Sequence, residues 1–216
     1  MGKIVHLVLF DIDGTLVESY DFDTECFQAA TKDVLGVTIG PDWSRYNHVT
    51  DSGILIEVIE ELGLKSDSDR ITEEVRERFV SRVADHISCH GVSPIFGAYE
   101  FLSQLVARQN VAVAFATGGW SESARMKLDA AGISFSSIAL ASSSDHYSRT
   151  DIMRLAEKRA GNGRYDSITY FGDGPWDQKA SETLGYNFVS VGSRISSPQS
   201  IRDYTEANVA LRYIGL

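Results

Sequence analysis

The sequence predicts an α/β fold, a doubly wound parallel sheet with a small α-helical domain inserted after the first strand. Two observations lead there. Short runs rich in Val, Ile and Phe at residues 4–10, 111–116, 138–141, 168–171 and 188–191 alternate with segments of helical period. Near-continuous apolar strands of this kind belong to parallel sheets covered on both faces. Between about residues 18 and 91 the alternation stops and helical stripes alone remain. The expected division is therefore a core of residues 1–17 and 92–216 and a helical insertion of residues 18–91.

The elements follow in order. The first strand runs into Asp11. A helix is expected over residues 24–35. Ile54, Leu55, Val58, Ile59 and Leu62 form the apolar stripe of a second helix that stops at Gly63. Ile71, Val75, Phe79, Val83 and Ile87 recur every fourth residue on a third, whose other face carries Glu73, Glu77, Arg78 and Arg82. Residues 17–20 and 91–97, the latter with Pro94, read as the two linkers. Beyond them, helices at 97–108, 121–131, 150–160 and 175–184 alternate with the remaining strands. Pro175 near the start of the last and Gly185 just past its end obey the usual terminal asymmetry. Ser142-Ser143-Ser144 makes a short polar loop.

Composition narrows the function. A chain of 216 residues, 43% hydrophobic and 23% charged, holds one sizeable core plus a small second unit and is ordinary for a soluble protein. No apolar run approaches the roughly 20 residues that span a bilayer. Residues 4–10 are too short for that and lead into Asp11 without a small-residue cleavage site, so a cytoplasmic protein is expected. A net charge of −10 argues against nucleic acid and membrane surfaces as partners. It leaves room for a small phosphorylated metabolite, because a bound metal supplies positive potential locally. Cys26 and Cys89 are isolated, which fits free thiols in a reducing compartment.

In open parallel sheets ligands bind beyond the carboxyl ends of the strands. Here the first strand ends in Asp11 and Asp13, the second in Thr117-Gly118-Gly119, and the fourth in Gly172-Asp173-Gly174-Pro175-Trp176-Asp177. Four carboxylates in one crevice repel strongly without a cation. Hard oxygen ligands with no His or Cys beside them select Mg²⁺ or Mn²⁺ over zinc. Magnesium so held usually binds a substrate phosphate as well, and a carboxylate facing that phosphate can act as nucleophile. Asp13, two residues on, is placed to protonate the leaving oxygen and later to activate water. Gly14, Gly118 and Gly119 let backbone N–H groups approach phosphate oxygens.

These residues carry a resemblance. Asp11-Ile12-Asp13-Gly14-Thr15-Leu16, Ala116-Thr117-Gly118-Gly119 and Tyr170-Phe171-Gly172-Asp173-Gly174-Pro175-Trp176-Asp177 are similar, in this order and spacing, to the first, second and fourth motifs of the haloacid dehalogenase superfamily. The match covers nearly the whole chain and points to the phosphatase branch with a helical cap between the first two motifs, of the phosphoglycolate phosphatase type. The resemblance implies a Rossmann-like core and Mg²⁺ as cofactor. It makes Asp11 the nucleophile and a metal ligand, with the backbone carbonyl of Asp13 as another ligand. The Asp13 side chain becomes general acid and base, and Asp13 in this place speaks against the dehalogenase branch. Thr117 would hydrogen-bond the phosphoryl group. Asp173 would hold the metal, with Asp177 as direct or indirect partner. The implied activity is hydrolysis of a small phosphorylated metabolite through an aspartyl phosphate. A phosphomutase and a phospho-ligand-binding relative without turnover are the alternatives.

The third motif departs from the pattern. The family usually shows a lysine there, often followed by proline, whereas Arg149-Thr150-Asp151-Ile152 stands in that place. Arg149 is the expected phosphate-neutralising cation, although a guanidinium is a rigid fork where an ammonium is a point charge. Lys127 is the rival, expected otherwise as a surface charge. In the insertion, Thr50 and Asp51 open a helix and are candidate specificity residues, since a helix N-terminus over the site is a natural anion element. His86 and His90 are expected on the insertion's surface. Trp120 and Trp176 follow motif residues and read equally as site lining or as packing beneath the cap.

Overall fold

A computed structural model describes residues 5–133, 136–161 and 164–216; Ile4, assigned above to the first strand, lies outside them. Among the described residues the strands are β1 (His6–Phe10), β2 (Val111–Ala116), β3 (Ala139–Ala141), β4 (Ser167–Gly172), β5 (Asn187–Val191) and β6 (Ser200–Ile201). The helices are α1 (Tyr20–Leu35), α2 (Asp51–Glu61), α3 (Ser68–His90), α4 (Ala98–Val106), α5 (Ser121–Ala130), α6 (Arg149–Ala160), α7 (Pro175–Leu184) and α8 (Ala207–Ile214).

The strands form one parallel sheet in the order β3-β2-β1-β4-β5-β6. Parallel neighbours need crossovers, and helices on both faces supply them. Successive side chains of β1 turn to opposite faces. Val8 and Phe10 pack with α4 and α8 through Phe101, Leu105 and Leu211, while Leu7 and Leu9 pack with α6 through Ile152, Met153 and Ala156. Leu7, Val8, Leu9 and Phe10 are fully buried. The doubly wound sheet is thus the fold that the apolar runs predict.

Two elements have no counterpart in the sequence reading, β6 and α8. A two-residue strand is too short to show a period. The α8 stripe of Ala207, Ala210, Leu211 and Ile214, with its buried face on the sheet, is regular enough to have been read. Helix α1 also starts at Tyr20 instead of residue 24. Asp21 and Asp23 in its first turn are the residue type that a helix N-terminus favours.

Helices α1, α2 and α3 bury an apolar cluster of their own, with Phe27, Leu55, Val75 and Phe79 at its centre and Trp120 of the sheet-bearing part seated in it. The chain enters and leaves this unit side by side. Glu18 N–H donates to Ser93 O at 2.9 Å and Ile95 N–H to Leu16 O at 2.8 Å, around a bridge between Val17 and Pro94. Cys26 and Cys89 are free thiols. Among the described residues no helix is long and apolar enough to cross a membrane.

Candidate active site

Sheet register brings the strand ends together. Phe10 lies opposite Phe115 on one side and Phe171 on the other, so β1, β2 and β4 reach their carboxyl ends at the same height. Asp11 N–H continues the ladder by donating to Phe171 O at 2.9 Å, and Thr117 N–H donates to Ala141 O at 3.1 Å. A cavity of about 80 Å³ opens there. Its floor is Asp11, Asp13, Thr117, Gly118, Arg149 and Asp173, and the helical insertion closes it with Asp23, Phe27, Trp43, Thr50 and Asp51.

One carboxylate oxygen from each of Asp11, Asp173 and Asp177 lies within 4.8 Å of the others. All three are buried, and each carboxyl is pushed above its ordinary value, first by loss of hydration. For Asp11 the repulsion of Asp177 adds to this and Arg149 partly offsets it. Asp173 is raised to about 7 by burial and by Asp177, against the pull of Arg194. Asp173 Oδ1 accepts no hydrogen bond among the described residues although it is buried. An orphaned carboxylate oxygen beside another carboxylate is what a hard divalent cation satisfies. The donor set fits Mg²⁺.

Asp177 is differently engaged from the other two. Its Oδ1 takes Arg149 Nη1 at 2.7 Å and the Tyr170 hydroxyl at 3.3 Å, and its Oδ2 accepts Gly174 N–H at 3.1 Å. With both oxygens bound, Asp177 orients Arg149 and supports the cluster from behind. Arg149 opens α6, and its Nη1 lies 3.5 Å from Asp11 Oδ1 while Nη2 donates to Val49 O at 3.0 Å. Burial opposes its charge, but Asp177, Tyr170 and Asp11 outweigh that and raise its pKa.

Lys127 is not a surface residue. It is fully buried on α5, with Nζ 2.5 Å from Asp13 Oδ1 and 2.5 Å from Asp23 Oδ1. Asp13 and Asp23 more than offset the burial penalty and raise its pKa. The cation that reaches Asp11 is Arg149, while Lys127 joins Asp13 to helix α1. Asp13 Oδ1 also accepts the Ser19 hydroxyl at 2.5 Å, so this oxygen is held and Oδ2 is left facing Gly119.

Two glycines make the approach possible. Gly14 has φ of 77°, and a Cβ there would run into the Asp173 carboxylate. A Cβ on Gly118 would occupy the place of the Arg149 guanidinium. Thr117 Oγ1 accepts Gly119 N–H at 3.1 Å and faces the cavity. Thr50 caps α2, accepting Gly53 N–H at 3.0 Å and donating to Tyr147 O at 2.7 Å. Asp51 follows it, donating its N–H to Gly118 O at 2.8 Å and accepting Trp120 N–H at 2.9 Å.

Trp176 lines the cavity, whereas Trp120 is buried in the insertion's core and donates from Nε1 to Ser52 Oγ at 3.0 Å. His86 stacks on Phe22 with ring centroids 4.1 Å apart, outside the cavity. Sequence reasoning missed Tyr20, Asp23, Thr24, Phe27 and Trp43 as lining, and Arg194, whose Nε lies 3.1 Å from Asp173 Oδ2. The acidic first turn of α1 was the one available signal for Asp23.

With this geometry in place, a sequence model of the haloacid dehalogenase-like hydrolases matches residues 8–191. The chain belongs to the haloacid dehalogenase-like hydrolases. No curated protein sequence matches it. This hydrolase resembles a hydrolase from Pseudomonas syringae at 20% identity, covering 96% of this chain and 98% of that one with a TM-score of 0.75. It is also similar to CbbY from Rhodobacter sphaeroides in complex with phosphate, at 18% identity over 99% and 100% of the two chains with a TM-score of 0.70. A beta-phosphoglucomutase from Clostridium difficile matches at 14% identity over 98% of each chain, TM-score 0.75. At these identities the likeness shows the shared fold.

Proposed function

We propose that this hydrolase is a Mg²⁺-dependent phosphomonoesterase of the cytoplasm, acting on a small phosphorylated metabolite through an aspartyl phosphate on Asp11. The observation that carries this is the buried Asp11–Asp173 pair, with the unsatisfied Asp173 Oδ1 on one side and Arg149 on the other.

Asp11 and Asp173, with the Asp13 carbonyl, would hold the metal, which supplies positive charge for the phosphate and for the Asp11 carboxylate. Arg149 and the Thr117 hydroxyl orient the phosphoryl oxygens, and the Gly118 backbone has room to approach them. The Asp11 carboxylate oxygen attacks phosphorus as the bond to the alcohol oxygen breaks, and Asp13 gives that oxygen its proton. Asp13, now a base, takes a proton from water. The hydroxide displaces Asp11, the Asp11–phosphorus bond breaks, and inorganic phosphate leaves. Residues 18–91 act as a cap that excludes bulk water during the first transfer. Its two linkers, hydrogen-bonded side by side, are the natural place for the motion.

The test is phosphate release from a chromogenic phosphomonoester by the wild-type protein and by Asp11→Asn. The variant is expected to fold with a normal far-UV spectrum and to lose at least about 10³-fold in rate, the scale of losing a covalent nucleophile. Near wild-type turnover by the variant would end the covalent reading. A mutase is separated by supplying a sugar phosphate and resolving an isomer from free phosphate.

A further inference from the structure

The charge balance of the cavity says more about the substrate, given the phosphatase reading above on which this rests. Five carboxylates face the cavity, those of Asp11, Asp13, Asp23, Asp51 and Asp173, and the one basic side chain on its wall among the described residues is Arg149. Four of the five are accounted for. Asp11 and Asp173 form the metal-competent pair with Arg149 and Arg194 beside them. Asp13 and Asp23 share Lys127, which stands behind the wall. Asp51 is left. It is 9% exposed, lines the cavity, accepts one backbone N–H, and has no cationic side chain within ion-pair distance among the described residues.

Asp51 sits in the first turn of α2, the helix whose N-terminus closes the cavity. The first-turn N–H groups of that helix are already taken by the chain, Asp51 N–H by Gly118 O, Ser52 N–H by Ser143 Oγ and Gly53 N–H by Thr50 Oγ1, and are not free for a substrate anion. A second anionic group on the substrate would meet Asp51 where a positive helix end would otherwise have received it. The position of Asp51 relative to the chemistry is defined by Gly119. A Cβ there would lie 3.5 Å from both Asp13 Oδ2 and Thr117 Oγ1 and 3.9 Å from Asp51 Oδ2. The Asp51 carboxylate therefore stands around Gly119 with the acid/base and the phosphate-facing hydroxyl, on the wall of the cavity that has to take the alcohol part of a small ester.

The remaining wall is partly aromatic, with Tyr20, Phe27, Trp43 and Trp176 beside Val49 and Ile54, and the Arg194 guanidinium already lies over the Tyr20 ring. Phe27 and Trp43 meet edge-on at 6.3 Å, and Tyr20 stacks parallel to Trp176 at 6.3 Å. Phe27, Trp43 and Trp176 share the cavity wall with the Asp51 carboxylate, and rings together with a carboxylate suit an ammonium group, by quadrupole and by charge. Burial and the charge of Asp23 raise the Asp51 carboxyl well above its ordinary value, Lys127 only partly offsets this, and an arriving cation would favour its charged form.

We propose that the cavity selects the phosphate ester of a small amino alcohol, an ester whose organic part carries an ammonium group at Asp51 and no second anion. The class disfavoured is the phosphate of a hydroxy acid, phosphoglycolate included, even though the motifs resemble those of phosphoglycolate phosphatases.

Binding tests this apart from turnover. In Mg²⁺, calorimetric titration of the Asp11→Asn variant with ethanolamine phosphate and with phosphoglycolate compares two esters of similar size and opposite charge. Ethanolamine phosphate is expected to bind at least about tenfold more tightly, a modest share of what opposed like charges cost in a buried site. Adding Asp51→Asn should shrink that ratio to below about threefold. If the double variant melts early, the comparison in Asp11→Asn stands by itself. Equal or tighter binding of phosphoglycolate overturns the proposal, as does the absence of detectable binding of ethanolamine phosphate. Failure of the phosphatase reading shows separately, as no metal-dependent phosphate release by the wild-type protein from any ester.

Discussion

Replacing Lys127 with methionine leaves a side chain of similar length and removes one charge from the interior. Lys127 is fully buried, and its partners are nearly so, with 14% of the Asp13 side chain and 15% of the Asp23 side chain exposed. The variant leaves two carboxylates facing each other without the ammonium between them. Breaking a buried pair by removing one partner costs about 3–5 kcal/mol. For a chain of this size that is a fall in Tm of about 6–20 °C. The loss has a definite pH dependence. Asp23, raised by burial and lowered again by Lys127, stands at about 6 with the lysine in place, and it must rise further without it. A carboxyl whose folded value exceeds its unfolded one binds an extra proton in the folded state. Stability from such a group is lost as pH climbs from about 4 through the folded value. The deficit of Lys127→Met relative to wild type is therefore larger at pH 8 than at pH 5. Lys127 itself, raised, contributes fully at neutral pH and only loses its share under strongly alkaline conditions. Thermal melts at the two pH values read this directly, and Asp23→Asn/Lys127→Met should recover part of the loss at pH 8. A fall in Tm below about 2 °C at pH 8, or a double variant no better than the single one, would refute the reasoning.

Metal binding and pH are coupled through Asp173, at about 7, and through the raised Asp11. The metal-free protein should lose stability as pH rises through 7, and Mg²⁺ at 100 times its Kd should restore about 2.7 kcal/mol at pH 8. Melts with EDTA and with Mg²⁺ measure both, and a melt indifferent to Mg²⁺ would remove the carboxylate pair as a metal site. Gly118→Ala places a methyl group where the Arg149 guanidinium lies and pushes it from Asp177 and Val49 O, so phosphate release should fall at least about tenfold and Tm should fall as well. Unchanged turnover would show that Arg149 does not act from that position. Asp11→Asn should abolish turnover in the same assay with the fold retained.

Much of this was legible in the residues. The apolar runs that end in Asp11, Thr117 and Asp173 announce strands buried on both faces, because a sheet covered by helices has no solvent face to interrupt its hydrophobic residues. Loops at strand ends carry the chemistry for the same topological reason, so reading the strands already gathered the carboxylates. Arg149 was expected from its place in the third motif, ahead of the helix before β4, and it is the cation beside Asp11.

Other assignments were out of reach of the sequence because they are made between distant segments. Lys127 on an amphipathic helix has the spacing of a solvated residue, and what buries it are Asp13 and Asp23, 114 and 104 positions away. Asp51 reads locally as a candidate specificity residue at a helix start, with nothing in the sequence to show which charges stand beside it. It acquires its meaning when the insertion folds over the sheet and sets it on the cavity wall with Thr117 and Asp13, with no ion pair of its own among the described residues. Asp177 reads as a direct or indirect partner of the metal, and only the tertiary structure shows that its oxygens also meet Arg149, Tyr170 and Gly174. Local pattern by itself determined the doubly wound sheet, the helical insertion and the row of acids at the strand ends, since each depends on periodicity and on residues close in the chain. The tertiary structure decided how the charges are shared among those acids, because a buried carboxylate is defined by the neighbour that compensates it, and here those neighbours arrive from other elements.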